Sequence, residues 1–355
     1  RGGAGQRTAQ YLIDMPATRN ANGTRQLYYE PASGTSFSAL DVADAPAAEL
    51  APVMGVGEDA ARLAIAWARG LDVRDEDNDG ERNDSRPWLW GDPMHSRPLI
   101  VNYGTSGGYS QSNPNIHLMF GSNDGFFRIV RNTLPNNSGS GEELFAFMPR
   151  TVMPNLPVWA SGSASTPPHP YGVDGEPTSL VIDHDRDGNI EIADGDKVYV
   201  YVGLRRGGNA YYALDVSSPT TLPSGFTAGN TPSLLWRIEQ TSGGDFDELA
   251  LSFSTPRVTM VNYEGTPRHV LIFTAGYNGG WSGGSRIGKD AGSATDSIGN
   301  AIYIVDAVSG ELIWKATQSG TASNEEHVNA GLLHSFPSAV TTFDSNSNNI
   351  TDRLY

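Results

Sequence analysis

The residues best suited to chemistry in this 355-residue sequence form an acidic loop that runs from Asp183 to Asp194. Counted from Asp183, the loop has carboxylates at positions 1, 3 and 5, glycine at position 6, a main-chain carbonyl at position 7 and an acid at position 9. A hard cation that takes six to eight oxygen ligands requires this spacing, so the loop is predicted to bind calcium. The predicted ligands are Asp183, Asp185, Asp187 and the carbonyl of Asn189, with Glu191 or Asp194 as the closing acid.

The segments on either side of this loop indicate its structural context. Leu180–Ile182 is apolar, and Val198–Tyr201 alternates valine with tyrosine, which is typical of strands. The loop is therefore predicted to join two strands of a hairpin and not the two helices of an EF-hand. The alternative interpretation is a solvated acidic turn without a metal, in which the crowded carboxylates would repel one another.

Two further loops repeat the pattern with fewer matching positions. The first loop offers Asp75, Asp77 and Asp79, followed by Gly80, and a site there would be closed by Asn83 or Asp84. The second loop offers Asp344, Asn346, Asn348, the carbonyl of Ile350, and Asp352. Because the second loop has only two carboxylates, its site should be weaker.

Three short motifs suggest catalysis or cofactor binding but lack the required context. Gly280–Gly284 fits the Gly-x-Ser-x-Gly pattern, yet a glycine-rich loop follows where a nucleophile elbow needs a helix. Gly55–Ala60 resembles a dinucleotide fingerprint, but its acids would face the phosphates. Asp92, His95 and Ser96 lie close together in sequence and are predicted to form a buried turn network. The chain is therefore predicted not to be an enzyme.

Composition excludes several classes of protein. The 40 acidic and 24 basic residues give a net charge of −16, which disfavours binding to nucleic acid or to an anionic membrane surface. The 41 glycines and 22 prolines disfavour a helical bundle. The absence of cysteine excludes disulfides, thiolate nucleophiles and Cys-ligated zinc. No apolar run reaches the roughly 18 residues that a membrane-spanning helix needs.

The predicted elements are mainly strands, which places the chain in the all-β class. One helix is predicted over Glu58–Arg69, with Leu63, Ala64 and Trp67 on one face and Gly70 as its stop signal. Residues 1–57 are predicted to form an extended lead-in. Turn residues separate ten predicted strands: Ile116–Phe120, Phe126–Arg131, Glu143–Phe147, Ser179–Ile182, Val198–Val202, Ala210–Asp215, Leu234–Ile238, His269–Thr274, Ala301–Asp306 and Glu311–Lys315.

A weak internal repeat runs through these strands. An apolar strand, a glycine and an aromatic-aliphatic strand recur near residues 118–129, 200–215 and 272–306, which indicates the blades of a β-propeller with long loop insertions. The last copy continues as Asp306-x3-Gly310-x3-Trp314. This is the tryptophan-docking spacing of quinoprotein-like propellers, in which an indole of one blade packs against its neighbour.

Several of these segments together resemble one protein family. Arg86–Pro98 is similar to the signature at the start of the C-terminal propeller of PilY-type proteins, with Trp90 where the family usually has Leu. Gly121–Gly125, Glu143–Pro149, the acidic loop and Asn209–Asp215 resemble family landmarks in the family's order. PilY-type proteins are type IV pilus biogenesis factors and tip adhesins, and the resemblance covers roughly residues 58 to 355.

The resemblance implies a modified propeller over residues 58–355 whose nine-residue calcium loop controls pilus extension and retraction. It implies Asp183, Asp185, Asp187, the carbonyl of Asn189 and Glu191 as ligands, with Glu191 where the family usually has Asp. Pilus components such as minor pilins, and host or abiotic surfaces, would be the partners. The protein would lie outside a Gram-negative outer membrane, at the cell surface or pilus tip.

Two other functions remain open on the sequence. The docking spacing at residues 306–314 is compatible with a dehydrogenase that uses pyrroloquinoline quinone, although the adjacent cysteine pair typical of those enzymes is absent. Exposed aromatic residues with calcium are compatible with a lectin-like binding module. Because Asp352–Tyr355 resembles the start of another blade, further C-terminal blades and an N-terminal adhesion domain are expected outside this sequence.

Overall fold

A computed structural model describes residues 25–34, 36–42, 44–82, 84–86, 88–137, 139–162, 170–218, 232–282 and 284–355. The chain divides into two compact units. The first comprises Arg1–Val173, Ile182–Lys197 and Val216–Ser233; the second comprises Asp174–Val181, Val198–Asp215 and Leu234–Tyr355. The first part of the predicted lead-in, residues 1–24, lies outside the described residues, and the predicted boundary at residues 57/58 stays a prediction.

A six-stranded sheet forms the first unit, with strand order β2-β1-β6-β5-β4-β3. Its neighbours are antiparallel except for β1, which runs parallel to β6. Apolar side chains of β5 and β6, including Phe127, Ile129, Phe145 and Phe147, are fully buried and form the core of this sheet. The strands are β1 (Leu27–Tyr29), β2 (Ser38–Ala39), β3 (Leu99–Asn102), β4 (Ile116–Gly121), β5 (Phe127–Thr133) and β6 (Gly139–Met148).

The predicted helix is present with the predicted bounds, although its buried face differs. This helix follows α1 (Asp44–Met54) and is named α2 (Glu58–Arg69); α3 (Leu156–Ser161) comes later, after a 3-10 turn at Arg150–Asn155. Gly70 ends α2 in the left-handed conformation, as its sequence indicates. Leu63, however, is 59% exposed, because the buried face is the one that carries Ala61, Ala64, Ile65 and Ala68.

The prediction that residues 1–57 are an extended lead-in was wrong for residues 44–54, which form α1. Pro52 lies inside this helix and disfavours a helical interpretation of the sequence. The buried residues Ala47, Leu50, Ala51 and Met54 nevertheless follow the i, i+3, i+4, i+7 spacing of an amphipathic helix. Burial of this apolar stripe outweighs the local cost of the proline.

The second unit is built from two larger sheets. One has the order β10-β9-β8-β7 and the other β11-β12-β15-β16-β17, with β17 parallel to β16. The strands are β7 (Thr178–Ile182), β8 (Lys197–Gly203), β9 (Ala210–Asp215), β10 (Ser233–Glu239), β11 (Arg257–Tyr263), β12 (Thr266–Thr274), β13 (Trp281–Ser282), β14 (Ser285–Arg286), β15 (Ile302–Asp306), β16 (Leu312–Thr317), β17 (Glu326–Val328), β18 (Thr342–Phe343) and β19 (Arg353–Leu354). Strands β13 and β14 form one small hairpin, and β18 and β19 form another.

The described residues are therefore mostly β-sheet with few helices and without a closed barrel, which is consistent with the predicted all-β class. All ten predicted strands are strands in the structure. Among the described residues, no helix is long and apolar enough to cross a membrane.

A buried ion network connects the parts of the first unit. The guanidinium of Arg128 on β5 contacts Asp124 at 2.5 Å and Glu143 on β6 at 3.0 Å, and Arg25 contacts Glu143 at 2.8 Å. All four side chains are at most 6% exposed. Arg25 also donates to the carbonyl of Ala68 near the C-terminus of α2, at 2.9 Å. The network therefore joins β1, β5, β6 and α2 around charges that water does not reach.

Electrostatic coupling keeps this network ionised despite its burial. Burial by itself would raise the pKa of Glu143, but the charges and hydrogen bonds of Arg25 and Arg128 lower it on balance. Burial would likewise raise the pKa of Asp124, and Arg128 and Ser122 lower it on balance. Because these pKa values are lower in the folded than in the unfolded state, the network stabilises the fold above about pH 4. That stabilisation is lost as the pH falls through the folded pKa values.

A second tertiary contact, within the second unit, explains the docking spacing at Asp306–Trp314. The indole of Trp236 on β10 donates from Nε1 to the carbonyl of Ala307 at 3.1 Å. Gly310, with φ +74°, lies so close to this ring that a Cβ would be 2.7 Å from its Cγ. The indole of Trp236, which belongs to the four-stranded sheet, therefore packs on the turn between β15 and β16 of the five-stranded sheet. Trp314 itself packs in the apolar cluster around Val270 and Ile272.

We expect Glu143→Gln to destabilise the first unit by about 3 to 5 kcal/mol, because two buried guanidinium groups lose their shared countercharge. Urea unfolding measures the change. Glu142→Gln is the matched control, since Glu142 is the preceding residue, is 52% exposed and pairs with Arg131 at 3.2 Å; it should cost less than about 1 kcal/mol. The difference between the variants should shrink as the pH falls below about 4, because the unfolded chain then binds a proton that Glu143 in the folded wild type does not. A difference that is independent of pH would contradict the ionic origin.

We expect Gly310→Ala to destabilise the protein more than Gly265→Ala does. Both glycines have a left-handed φ, at +74° and +79°, so both variants carry a backbone cost of about 1 to 2 kcal/mol. Only Gly310 faces the Trp236 indole, whereas a Cβ at Gly265 meets no atom within 4 Å. The added clash should cost a further amount of about 1 to 3 kcal/mol, measured by thermal or urea unfolding. Equal costs would show that the indole moves aside freely.

Candidate functional site

The loop that begins at Asp183 brings the three predicted aspartate ligands together. Carboxylate oxygens of Asp183, Asp185 and Asp187 lie within 4.8 Å of one another. The loop follows β7 and leads into a 3-10 turn at Ile192–Asp194, as the predicted hairpin context requires. The donor set consists of oxygen atoms alone, which suits a hard cation.

Backbone amides hold these carboxylates in place. Asp183 accepts hydrogen bonds from the amides of Arg186 at 2.6 Å and Gly188 at 2.9 Å. Asp185 accepts from the amide of Asp187 at 3.2 Å, and Asp187 accepts from that of Asn189 at 2.7 Å. Arg186 and Gly188 adopt left-handed φ values of +63° and +84°, which turn the amides inward. Hydrogen bonds from the backbone therefore hold the three carboxylates together without the help of a cation.

The loop that begins at Asp75 has the same hydrogen-bond pattern. The amide at position 6, Gly80, donates to Asp75 at 3.1 Å, and the amide at position 7, Glu81, donates to Asp79 at 2.8 Å. Positions 4 and 6, Asn78 and Gly80, again have left-handed φ values, of +59° and +87°. Carboxylate oxygens of Asp75, Asp77 and Asp79 also lie within 4.8 Å of one another. The predicted closing residue Asn83 lies outside the described residues.

The loop that begins at Asp344 repeats this backbone with fewer charges. The amides of Asn349 and Ile350 donate to Asp344 at 2.7 Å and to Asn348 at 2.9 Å. Ser347 and Asn349 occupy positions 4 and 6 with φ values of +62° and +65°. Asn349 therefore adopts the conformation for which the other two loops use glycine. The three loops share left-handed residues at positions 4 and 6 although their charges differ.

A further carboxylate receives the amide at position 2 of each loop. The side chain of Asp196 accepts from His184 at 2.7 Å and from Glu191 at 3.0 Å. Asp72 accepts from Glu76 at 2.6 Å, and Asp352 accepts from Ser345 at 2.9 Å. Sequence reasoning missed Asp72 and Asp196, which lie outside the spaced motifs. The available signal was an additional acid within three residues of the loop.

The side chain of Asn189 fastens the first loop to a neighbouring segment. Its Oδ1 accepts hydrogen bonds from the amide of Thr105 at 2.7 Å and from the Thr105 hydroxyl at 3.2 Å. The amide of Ile190 donates to the carbonyl of Tyr103 at 3.2 Å. Gly104, with φ +93°, packs directly against Asn189, where a Cβ would collide. The Asn189 side chain is therefore occupied, and its main-chain carbonyl is the predicted ligand.

Charge crowding is visible in the pKa values of the first loop. The hydrogen bond from the Asp187 amide lowers the pKa of Asp185, but desolvation and the charges of Asp187 and Asp183 raise it on balance. Desolvation and the charges of Asp187 and Asp194 raise the pKa of Glu191. In the less charged third loop, desolvation would raise the pKa of Asp344, yet four backbone amides lower it on balance. The first loop, unlike the third, is thus under net repulsion that a cation would relieve.

The structure brings some of the predicted ligands together and leaves the others as predictions. The three aspartates of each of the first two loops converge, while Glu191 and Asp352, as closing ligands, stay predictions. Asp84, the alternative closing acid of the second site, has one buried oxygen without a hydrogen-bond partner among the described residues. Desolvation, followed by the charges of Asp79, Asp77 and Asp72, raises the pKa of Asp84.

The residues considered for catalysis have other contacts. Asp92 accepts from the side chain of Asn123 at 2.7 Å, and the Ser96 hydroxyl accepts from the amide of Gly121 at 2.8 Å. Both residues therefore support the turn before β5, but the predicted network is not buried throughout, because Asp92 is exposed while Ser96 is buried. Trp281–Arg286 forms a two-stranded hairpin, which lacks the strand-to-helix geometry of a nucleophile elbow.

No protein-family model matches the chain. It is 26% identical over 286 residues to the type IV pilus biogenesis factor PilY1 homolog of Xylella fastidiosa (strain Temecula1 / ATCC 700964), covering 76% of this chain and 18% of that protein. It is 26% identical over 372 residues to the type IV pilus biogenesis factor PilY1 of Pseudomonas aeruginosa (strain UCBPP-PA14), covering 98% of this chain and 27% of that protein. The chain thus spans about a quarter or less of the length of these relatives.

Among solved structures, the chain is similar to the crystal structure of the Pseudomonas aeruginosa PilY1 C-terminal domain. The TM-score is 0.40 at 21% identity, covering 68% of this chain and 36% of that one.

We expect Asn189→Ala to loosen the attachment of the first loop, because Thr105 loses the acceptor of its amide and hydroxyl hydrogen bonds. Hydrogen exchange of the peptide that contains Thr105 should accelerate by about tenfold, which corresponds to a loss of about 1.4 kcal/mol. His184→Ala changes an exposed side chain of the same loop and should leave this exchange unchanged. Unchanged exchange in Asn189→Ala would show that the contact contributes little to local stability.

Proposed function

We propose that this chain, which belongs to the PilY family of type IV pilus biogenesis factors, is a calcium-binding propeller module of a pilus-associated protein. The convergence of Asp183, Asp185 and Asp187 in a loop with a prearranged backbone carries the calcium assignment. The sequence relation to two pilus biogenesis factors carries the pilus assignment. The module would support pilus biogenesis, extension and retraction, and attachment to surfaces.

The residues of the first loop fit calcium in number and kind. Three carboxylates, the carbonyl of Asn189 and the acid at position 9 supply oxygen ligands alone. A bound calcium ion would supply positive charge that offsets the repulsion among the acids. The loops that begin at Asp75 and Asp344 are proposed as second and third sites, and the third should be weakest because it has the fewest carboxylates.

The structural consequence of calcium would reach beyond the loop through Asn189. Because Asn189 and Ile190 bind the segment at Tyr103–Thr105, an ordered loop also orders that segment. A ligand that binds one arrangement better than another shifts the population toward it. Calcium would in this way bias the module toward one state during pilus extension or retraction.

A propeller is the architecture that we propose for the module. The mainly antiparallel sheets of four to six strands have the size of propeller blades with additions at their edges. The packing of Trp236 on the Asp306–Gly310 turn supports this assignment, because it joins one sheet to the next as the docking spacing predicts.

The proposed role is non-enzymatic and extracellular. Both relatives are named as biogenesis factors of the type IV pilus, so pilus components such as minor pilins are the proposed partners. Host or abiotic surfaces are proposed as further contacts at the pilus tip, outside the outer membrane. The net charge of −16 is compatible with a calcium-rich exterior and disfavours nucleic acid as a partner.

Calorimetric titration with calcium should show binding to the wild type that is lost or reduced by about a hundredfold at the first site in the Asp183→Ala/Asp187→Ala variant, because two of three converging charges are removed. His184→Ala is the matched control, since it alters the same loop outside the ligand set. It should bind calcium as the wild type does.

Equal binding heats for the wild type and the double aspartate variant would overturn the calcium site. The pilus role is tested separately, by complementing a strain that lacks the gene and measuring surface pili and twitching. Restoration by the wild type and failure of the double aspartate variant are expected. Normal piliation and twitching without the gene would overturn the pilus role even if calcium binds.

A further inference from the structure

A cavity of about 350 Å³ opens in the first unit, beside the loop that begins at Asp183. Three segments line most of it: the connection after β3, the end of β5 and the short stretch after β9. Its volume is at the lower end of the range for small-molecule sites, which suits a ligand of the size of one sugar residue. The principal polar and aromatic lining residues are Tyr103, Ser106, Tyr109, Asn115, Arg131 and Ser217.

Arg131 is the charged group of this lining. One of its terminal nitrogens contacts Glu142 at 3.2 Å, and its side chain is 22% exposed. Its buried Nε has no hydrogen-bond partner among the described residues. The Nε donor is therefore uncommitted, although buried donors in folded proteins are normally paired. The site calls for an acceptor, and a carboxylate matches the guanidinium best.

Asn115, in contrast to Arg131, needs a hydrogen-bond donor. Its main-chain groups are paired, since its amide donates to Gly104 and its carbonyl accepts from Tyr103, both at 2.8 Å. Its side-chain Oδ1 is buried and has no donor in the described part of the chain. A ligand that satisfies both Asn115 and Arg131 carries a hydrogen-bond donor as well as an acceptor, and a hydroxyl beside a carboxylate supplies this pair.

Two tyrosines provide rigid ring surfaces. The Tyr103 hydroxyl donates to the carbonyl of Val216 at 2.7 Å, and the Tyr109 hydroxyl donates to that of Thr133 at 3.2 Å. Because the hydroxyls are engaged, the rings are fixed and offer C–H and π surface to the cavity. The hydroxyl groups of Ser106 and Ser217 add short polar side chains around them.

We infer that this cavity binds a sugar acid, a single uronic acid residue whose carboxylate pairs with Arg131 and whose hydroxyls face Asn115 and the serines. A metal ion does not suit the cavity, because none of the described residues that line it carries a carboxylate. A cationic ligand would face the Arg131 charge. The inference goes beyond the proposed function, because neither the calcium loops nor the pilus role assigns a ligand to this cavity.

The test uses the whole chain in calcium-containing buffer, with glucuronate and glucose as probes in saturation-transfer NMR and calorimetry. Glucuronate should bind at millimolar or lower concentration and at least about tenfold more tightly than glucose, because a charge-assisted hydrogen bond contributes that much. Arg131→Gln should lose this preference. Arg131→Lys keeps the charge without the planar fork and should lose part of it, which preserves the test if the glutamine variant folds poorly.

Glu142→Gln is the matched control, because it removes the competing carboxylate and leaves Arg131 in place. It should bind glucuronate at least as tightly as the wild type. Equal binding of glucuronate and glucose, retained preference in Arg131→Gln, or no binding at millimolar concentration would overturn the inference. Methyl glucuronoside distinguishes the source: retained binding assigns the terminal residue of a polysaccharide, lost binding assigns the free acid, and both support the cavity.

Discussion

Arg128 places a full positive charge where water does not reach, and the first unit is arranged around its neutralisation. Asp124 comes from the turn that precedes β5, Glu143 comes from β6, and Arg25 stands beside the start of β1. The desolvation cost of such a network is high and is recovered only if every partner is in place. A displacement of the turn, of the strand register or of α2 would leave a buried charge unpaired. The network therefore fixes the arrangement of these elements more than it adds net stability.

The acidic loops solve a related problem in the opposite way, since they collect like charges and leave them exposed. Left-handed residues at positions 4 and 6 aim backbone amides at the carboxylates, so repulsion is reduced by hydrogen bonds that belong to the chain itself. These two left-handed positions recur in the loops that begin at Asp75, Asp183 and Asp344. Because each loop already has these left-handed residues in place, the number of carboxylates becomes the main difference among the three loops.

Local signals in the sequence predicted local structure well. The bounds of α2 follow from acids in its first turn and Gly70 at its end, and the loop that begins at Asp183 follows from spacing alone. Leu63 was assigned to the wrong face because helical periodicity does not say which of two apolar stripes is buried. The helix at residues 44–54 was not predicted, because Pro52 disfavours a helix locally and the burial that stabilises this one depends on tertiary packing.

Features that join distant parts of the chain were beyond sequence reasoning. The spacing at Asp306–Gly310 predicted that an indole would dock, but the indole that does so is Trp236, about 70 residues earlier, as the contact with Ala307 shows. The cavity at Arg131 draws its lining from several separate segments, none of which carries a motif. Asp72 and Asp196 support their loops from outside the spaced positions, so only the folded geometry identifies them.

The parallel pairing of β1 with β6 has a mechanical consequence. A force applied to the chain ahead of Arg25, along the direction of β1, loads the hydrogen bonds between Leu27–Tyr29 and Ala146–Met148 in shear, so that they must break together. An antiparallel hairpin pulled from its open end would instead unzip one bond at a time. Among the described residues, Arg25, held by Glu143 and by the carbonyl of Ala68, is the first anchor that such tension meets. The pairing of β1 with β6 thus resists a pull along the strand.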